Sequence, residues 1–417
     1  MKPFHYAILA ASLIAAQCAT AQEFIVRGAT VHTASAKGTL KNTDVLVRGG
    51  VIVAIGAQTA APNAAVIDAR GKELTPGLFG GLTDIGIEEI AAESATVDST
   101  LNQKSPAWEQ QWRPELDVTV AFNPRSFVVP ITRIEGVTWT VLAPNAGDTI
   151  IGGQGSAVTL DGRYDAALQG SRSLFVQMGS AGALLAGGTR AAEYMLLEQA
   201  IHEARAPGPI NQGALLHAAG REALNRYLMG GRIVFHVDRA SDIREVVAFA
   251  ARNGSKAVIL GGDEAWLVAK DLAKADVPVI LDPLNDLPTD FDHLASSLEN
   301  AARLQRAGVR IAFSSGDTPQ ARLVRQLAGN AVAHGLPWEA ALAAITSAPA
   351  DIFGVGATHG RIAVGQAADL VLWSGDPLEL STLAEQVWIA GRPIEMKSRQ
   401  TELRDRYVEK VKVHQAR

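Results

Sequence analysis

Cysteine is almost missing from this chain: Cys18 is the one cysteine among 417 residues, and it lies in an N-terminal segment expected to be removed. The mature chain then has neither a disulfide nor a thiol nucleophile. Long apolar runs are missing too. Beyond the N-terminus, no stretch approaches the roughly 20 apolar residues that a membrane-spanning helix needs. Clustered positive charge is absent before the C-terminal tail, and the formal net charge is −5. Nothing in the bulk electrostatics calls for nucleic acid or an anionic membrane. Apolar residues are plentiful, at 47% of the chain, enough for a large core.

The N-terminus has the three parts of a secretory signal. Lys2 supplies the positive end, Ala7 to Ala16 is an apolar run too short to span a bilayer, and Ala19-Thr20-Ala21 is a small-residue cleavage site. The mature chain is expected to begin at Gln22 and to be exported, to the periplasm in a Gram-negative cell. Gln17 stands where a small residue would have to precede a lipidated cysteine, so Cys18 is not read as a lipid anchor.

From residue 24 to 70 the chain reads as short strands. Phe24-Ile25-Val26, Asp44 to Val47 and Val51 to Ile55 are rich in β-branched residues, and Gly49-Gly50 marks a hairpin. The pattern then changes to apolar strands alternating with amphipathic helices. Strands are expected at Val137 to Leu142, Ser173 to Met178, Arg232 to His236, Ala257 to Leu260, Val277 to Leu281 and Val309 to Phe313. That alternation implies a parallel sheet with helices over it, and the number of repeats favours closure over an open doubly wound sheet. Residues 320 to 354 read as helices, and strand chemistry returns at Leu370 to Trp373 and Val387 to Ile389. The expected fold is α/β: a TIM-like (β/α)8 barrel with a small β-sandwich built from both termini. The boundaries are a signal peptide at 1–21, a composite sandwich from 22–75 and 360–395, the barrel at 76–359, and a charged C-terminal tail at 396–417.

Barrel sites form where strands end at their C-terminal side. That rule nominates Asp84, Gln177, His236, the run Gly261-Gly262-Asp263-Glu264, and Asp317. Taken singly, His236 is as readily structural as functional, and Asp317 before Thr318-Pro319 reads as a helix N-cap. His202, His217, His293 and His334 fall in expected helices or loops and read as structural or solvent-facing; His32 and His359 belong to the terminal β-region. Ile151-Gly152-Gly153-Gln154-Gly155 lacks the lysine of a phosphate-cradling loop and reads as a tight turn. Trp108 and Trp112 suit either a pocket lid or packing over the barrel.

Several dispersed segments resemble the amidohydrolase superfamily, and within it the imidazolonepropionase-related branch. They are Asp44 to Ile52, Thr75-Pro76-Gly77-Leu78 after Ile67 to Lys72, Ala344 to Ala350, and Gly360-Arg361-Ile362 with Gly365 to Leu372. They occur in order across nearly the whole mature chain. The resemblance implies metal-assisted hydrolysis, in which one or two divalent ions activate water against a C–N carbon. It also implies a ligand set: an H-x-H pair after the first strand, a lysine or glutamate mid-barrel, two later histidines, and a final aspartate that handles the proton. Here the H-x-H positions hold Leu82 and Asp84, and the mid-barrel position holds Gln177. His236 matches the first later histidine, Gly261 stands at the second, and Asp317 matches the aspartate.

Asp84, His236 and Asp317 are therefore the candidate ligands of a reduced site, with His236 and Asp317 the candidate catalytic pair. Three ligands suffice for a mononuclear centre, and oxygen donors in place of nitrogen favour harder ions. Two outcomes stay open, one Zn²⁺ or Mn²⁺, or no metal. The expected function is an exported hydrolase of non-peptide C–N bonds in small molecules, such as cyclic amides. The alternative is a non-catalytic binding or scaffolding protein. The expected partner is a small-molecule substrate or ligand, with a homo-oligomer or an intact paralogue as possible company.

Overall fold

The computed structural model describes residues 23–102, 111–206, 208–210, 213–315 and 318–415. The expected signal peptide, Trp108 and Asp317 lie outside the described residues.

The N-terminal strands are β1 (Phe24–His32), β2 (Thr39–Arg48), β3 (Val51–Gly56), β4 (Ala65–Asp68) and β5 (Glu73–Pro76). Gly49 and Gly50 join β2 to β3 with φ of 61° and 84°. Two successive positive φ values are what a two-residue hairpin turn demands, and glycine meets them without strain. Strand β1 lies at the centre, antiparallel to β2 and parallel to β4 and β5. The next strands, β6 (Leu78–Thr83) to β14, build the barrel region. The chain then returns with β15 (Leu370–Trp373), β16 (Ala384–Ile389) and β17 (Arg392–Pro393), and β15 pairs antiparallel with β5. One eight-stranded sheet results, its edge-to-edge order β17-β16-β15-β5-β1-β2-β3, with β4 branching from β1. Phe24 stacks on Trp388 with ring centroids 5.4 Å apart, so both ends of the chain share one core.

The barrel region holds β6, β7 (Val137–Leu142), β8 (Ile151–Gly155), β9 (Ala157–Thr159), β10 (Ser173–Gln177), β11 (Arg232–Val237), β12 (Lys256–Gly261), β13 (Val279–Leu281) and β14 (Ile311–Phe313). Strands β10 to β14 run parallel in one sheet, and β6 and β7 run parallel in another. The two arcs meet where the Leu82 amide donates to Ser314 Oγ at 3.0 Å and the Leu142 amide to Ser156 O at 3.0 Å. The expected (β/α)8 ladder is thus TIM-like but not continuous among the described residues. The run at 151–155, expected as a turn, is strand β8, antiparallel to β10. Its glycines let it pass close to a neighbouring strand: a Cβ at Gly155 would lie 1.8 Å from Leu142 O, at the end of β7.

Alternation along each strand divides the core. Phe79, Trp139, Phe175, Val234, Val258, Ile280 and Ala312 share the inner cluster. Their neighbours Leu78, Leu174, Ile233, Ile259, Val279 and Ile311 join the outer cluster under the helices. This is the period of two expected when one face points into a barrel and the other to its helical coat. The interior is filled by side chains, with Phe353 packed on Phe79 at 6.1 Å. The helix Ala240–Asn253 shows how the coat is made. Its apolar face buries Ile243, Val246, Phe249 and Ala250, and Gly254 closes it at φ 77°.

Candidate active site

The same alternation, carried past the packed interior, decides what faces the mouth. On β11, Val234 points in, Phe235 out, His236 in, Val237 out, and Asp238 in. On β10, Phe175 points in and Val176 out, so Gln177 reaches the mouth beside His236, with which it is in register. A cavity of about 230 Å³ lies there. Its wall also carries Asp84 after β6, Gly261 at the end of β12, Asp282 after β13, and Ser314 and Ser315 after β14.

The cavity's sharpest chemical feature is a cluster of Asp238, Asp263 and His293, whose donor atoms all lie within 4.8 Å of one another. His293 Nε2 is 3.5 Å from Asp238 Oδ2 and 3.6 Å from Asp263 Oδ2. The other ring nitrogen, Nδ1, lies 2.6 Å from Asp290 Oδ1. A carboxylate on one nitrogen fixes ring and tautomer and leaves the other nitrogen to a metal. The loop that carries His293 is itself pinned. Asp292 accepts from the Ser180 amide at 2.7 Å and pairs with the Arg190 guanidinium, which also holds Asp242 at 2.7 Å. Glu264 accepts from the amides of Ala240 at 3.0 Å and Ala295 at 3.1 Å, tying the same loop to the end of β12.

The electrostatics of the cluster follow from its burial. Burial pushes the Asp238 carboxyl up to about 6, with His293 and the amides of Asp263 and Gly262 opposing it. Burial, then the charge of Asp238, pushes Asp263 up to about 6. Burial alone would lower His293, but its contact with Asp290 and the charges of Asp238 and Asp263 raise it. His236 is exposed on the cavity wall. Desolvation holds its pKa below the ordinary value; Asp263 opposes that and His293 adds to it.

The residues present fit one ion and do not fit the family's full centre. Distances of 3.5 and 3.6 Å are long for hydrogen bonds. They approach the spacing of about 3.4 Å between donors on a tetrahedral zinc with bonds near 2.1 Å. Leu82 is packed in the inner cluster and has no lone pair to give. At Gly261, with φ 87°, a Cβ would lie 2.2 Å from Asp238 Oδ1. A side chain there would have to displace the Asp238 carboxylate.

Asp84 and His236 both reach the cavity, but neither belongs to the three-residue cluster found among the described residues. The Asp84 amide donates to Thr318 Oγ1 at 2.9 Å. The carboxyl of Asp84 faces Glu88, whose pKa is raised by burial and then by the Asp84 charge. Of the histidines read as structural or solvent-facing, His293 stands on a loop that brings it to the cavity wall beside Asp238 and Asp263. The signal that would have found it is Asp290-x-x-His293, a carboxylate three residues before a ring. Trp112 is buried and its amide donates to Leu215 O at 2.8 Å, so it packs on the barrel and forms no part of the cavity wall.

Known proteins share this architecture. The chain is 27% identical to the imidazolonepropionase of Chromobacterium violaceum over 405 residues, covering 82% of this chain and 88% of that one. It is 50% identical to the amidohydrolase tasK of Hapsidospora irregularis over 58 residues, 14% of this chain and only 6% of that protein. The crystal structure of an amidohydrolase from Thermotoga maritima MSB8 superposes with a TM-score of 0.78 at 24% identity, covering 90% of this chain and all of that one. Residues 164–398, more than half of the 417, match the Amidohydrolase family. The barrel, its strand-end cavity and these matches agree, and the chain belongs to the amidohydrolase family.

Proposed function

We propose that this protein is an exported hydrolase of non-peptide C–N bonds in small molecules, cyclic amides or their relatives, acting in the strand-end cavity with one divalent cation. Export rests on the signal-like residues 1–21. The observation that carries the catalytic reading is the Asp238, Asp263 and His293 cluster, buttressed by Asp290, at the mouth of an amidohydrolase barrel.

A divalent ion, when bound, lowers the pKa of water and polarises a carbonyl oxygen. Asp238, Asp263 and His293 would hold it, as Zn²⁺ or Mn²⁺. Asp290 orients His293 through Nδ1. His236 presents its imidazole to the substrate from the cavity wall. Gln177 and Asn285 offer amide groups to a polar ring. Asp84 and Asp317 were the other ligands expected from the resemblance. Asp84 is here given to the substrate side of the cavity. Asp317 keeps its proposed role as general base; its sequence neighbours Ser315 and Thr318 line the cavity.

A second reading, a binding protein without turnover, is favoured by Leu82 and Gly261 where the resemblance implies histidines. Metal analysis of the mature protein, purified without chelators and compared with His293→Ala, separates the two. About one ion per chain, lost in the variant, supports the hydrolase and calls for assays on small amides and cyclic ureides. No ion in either protein after Zn²⁺ or Mn²⁺ is supplied refutes the metal-dependent reading and leaves the cavity as a binding site.

A further inference from the structure

The cavity has a one-sided charge. Asp84, Asp238 and Asp282 are on its wall, and no lysine or arginine is among the described residues that line it. His293 Nε2 faces Asp238 and Asp263 at 3.5 and 3.6 Å, while Asp282 accepts from the Leu284 amide at 2.9 Å. A divalent cation at the cluster would balance Asp238 and Asp263. It would leave Asp84 and Asp282 unbalanced, with Glu88 directly behind Asp84. Asp84 also lines a second cavity of about 440 Å³, where Glu88 and Glu89 stand with Phe127 and Ile131. The basic residue there, Arg322, is not on the wall of the first cavity.

From this balance we infer that the cavity takes substrates whose substituent is positively charged, an ammonium or guanidinium on a small amide ring, and turns away those that carry a carboxylate. The inference deepens the hydrolase reading and rests on the same cavity. A cationic substituent gains from Asp84 and Asp282, whereas a carboxylate there would be an unpaired charge among like charges. Phe175, Val234, Leu260 and Ile280 supply the apolar floor on which the ring lies. The negative cavity also draws cations from solution, so the preference is expected to weaken with salt.

Three hydantoins, carrying at C5 a 3-aminopropyl, a propyl or a 2-carboxyethyl group, differ mainly in charge. Their binding to the metal-supplied mature protein is read by calorimetry at low ionic strength, and their ring opening by product analysis. The expected order of affinity is ammonium, then neutral, then carboxylate, with at least about tenfold between first and last. Asp84→Asn or Asp282→Asn should narrow that gap severalfold. Equal or tighter binding of the carboxylate overturns the inference, as does an unchanged gap in both variants or no binding of any of the three. Selective binding of the ammonium compound without ring opening of any supports the charge inference and counts against the hydrolase reading. Ring opening that favours the carboxylate does the reverse.

Discussion

The two walls of the cavity differ in what became of their metal donors. On the β6 wall the position that would hold the first histidine is Leu82, packed into the barrel interior. Asp84 beyond it turns to Glu88 and to the Thr318 hydroxyl. On the β11 and β12 wall a donor position is also gone, at Gly261, yet Asp238 fills the vacated space and meets Asp263 and His293. At Leu82 the donor position is lost to the core, whereas at Gly261 the Asp238 carboxylate occupies the space. A position-by-position reading of ligands sees two losses of the same kind. The packing shows that only one of them removes donor chemistry from the cavity.

The contrast breaks most directly on metal affinity. His293→Ala or Asp263→Asn is expected to weaken Mn²⁺ or Zn²⁺ binding about a hundredfold or more, whereas Asp84→Asn should change it less than about threefold. Calorimetric titration decides, and comparable losses on both walls would erase the distinction. Gly261→Ala tests the relocation itself. The new Cβ would meet Asp238 Oδ1 at 2.2 Å, on backbone at φ 87°. About 2 kcal/mol of stability should go, together with metal affinity; urea denaturation and the same titration read both. A variant as stable and as avid as the parent would show that Asp238 does not need that space.

A smaller effect is expected behind the β11 wall. Asp290→Asn should cost about tenfold in metal affinity with little change in unfolding midpoint, since Asp290 is exposed and acts through the His293 ring. The smallest effect belongs to Glu193, buried beneath the Arg190 clamp with Oε1 unpartnered among the described residues. Burial, followed by the Asp242 charge, pushes its carboxyl up to about 8. A raised acid binds its proton more tightly folded than unfolded. Its contribution is therefore intact below its unfolded pKa of about 4.5 and is lost as pH rises through about 8. Glu193→Gln should match the parent near pH 5 and exceed it near pH 9 by on the order of 1 kcal/mol. Thermal unfolding at the two pH values checks the sign, and a variant that loses most at pH 9 would contradict it.

Legibility followed range. Strand β7 stands where its apolar run ends, Val137 to Leu142, because a strand covered on both faces reads as continuous hydrophobicity. His236 at the cavity follows from the alternation along β11 and the rule that barrel sites lie at strand ends. Ile151 to Gly155 was misread because its glycines look like a turn. They serve instead to let β8 pass close to the backbones of Leu116 and Leu142. The place of His293 at the cavity was not legible, because it lies on a loop more than ten residues past the end of β13, and nothing local says where such a loop returns.

The sequence by itself determined the elements whose causes are local: the hairpin at Gly49-Gly50, the alternation that fills the barrel, and the motifs shared with amidohydrolases. It also determined which family donors are missing, since that is a matter of identity at a position. The tertiary structure alone decided that Asp238, Asp263 and His293 come together at the cavity. Asp238 can use the space at Gly261 only because β11 and β12 are neighbours in register. His293 can join it only because the Arg190 and Glu264 contacts bring a distant loop back over the mouth. Such proximity comes from the packing of whole elements, and no residue's own chemistry encodes it.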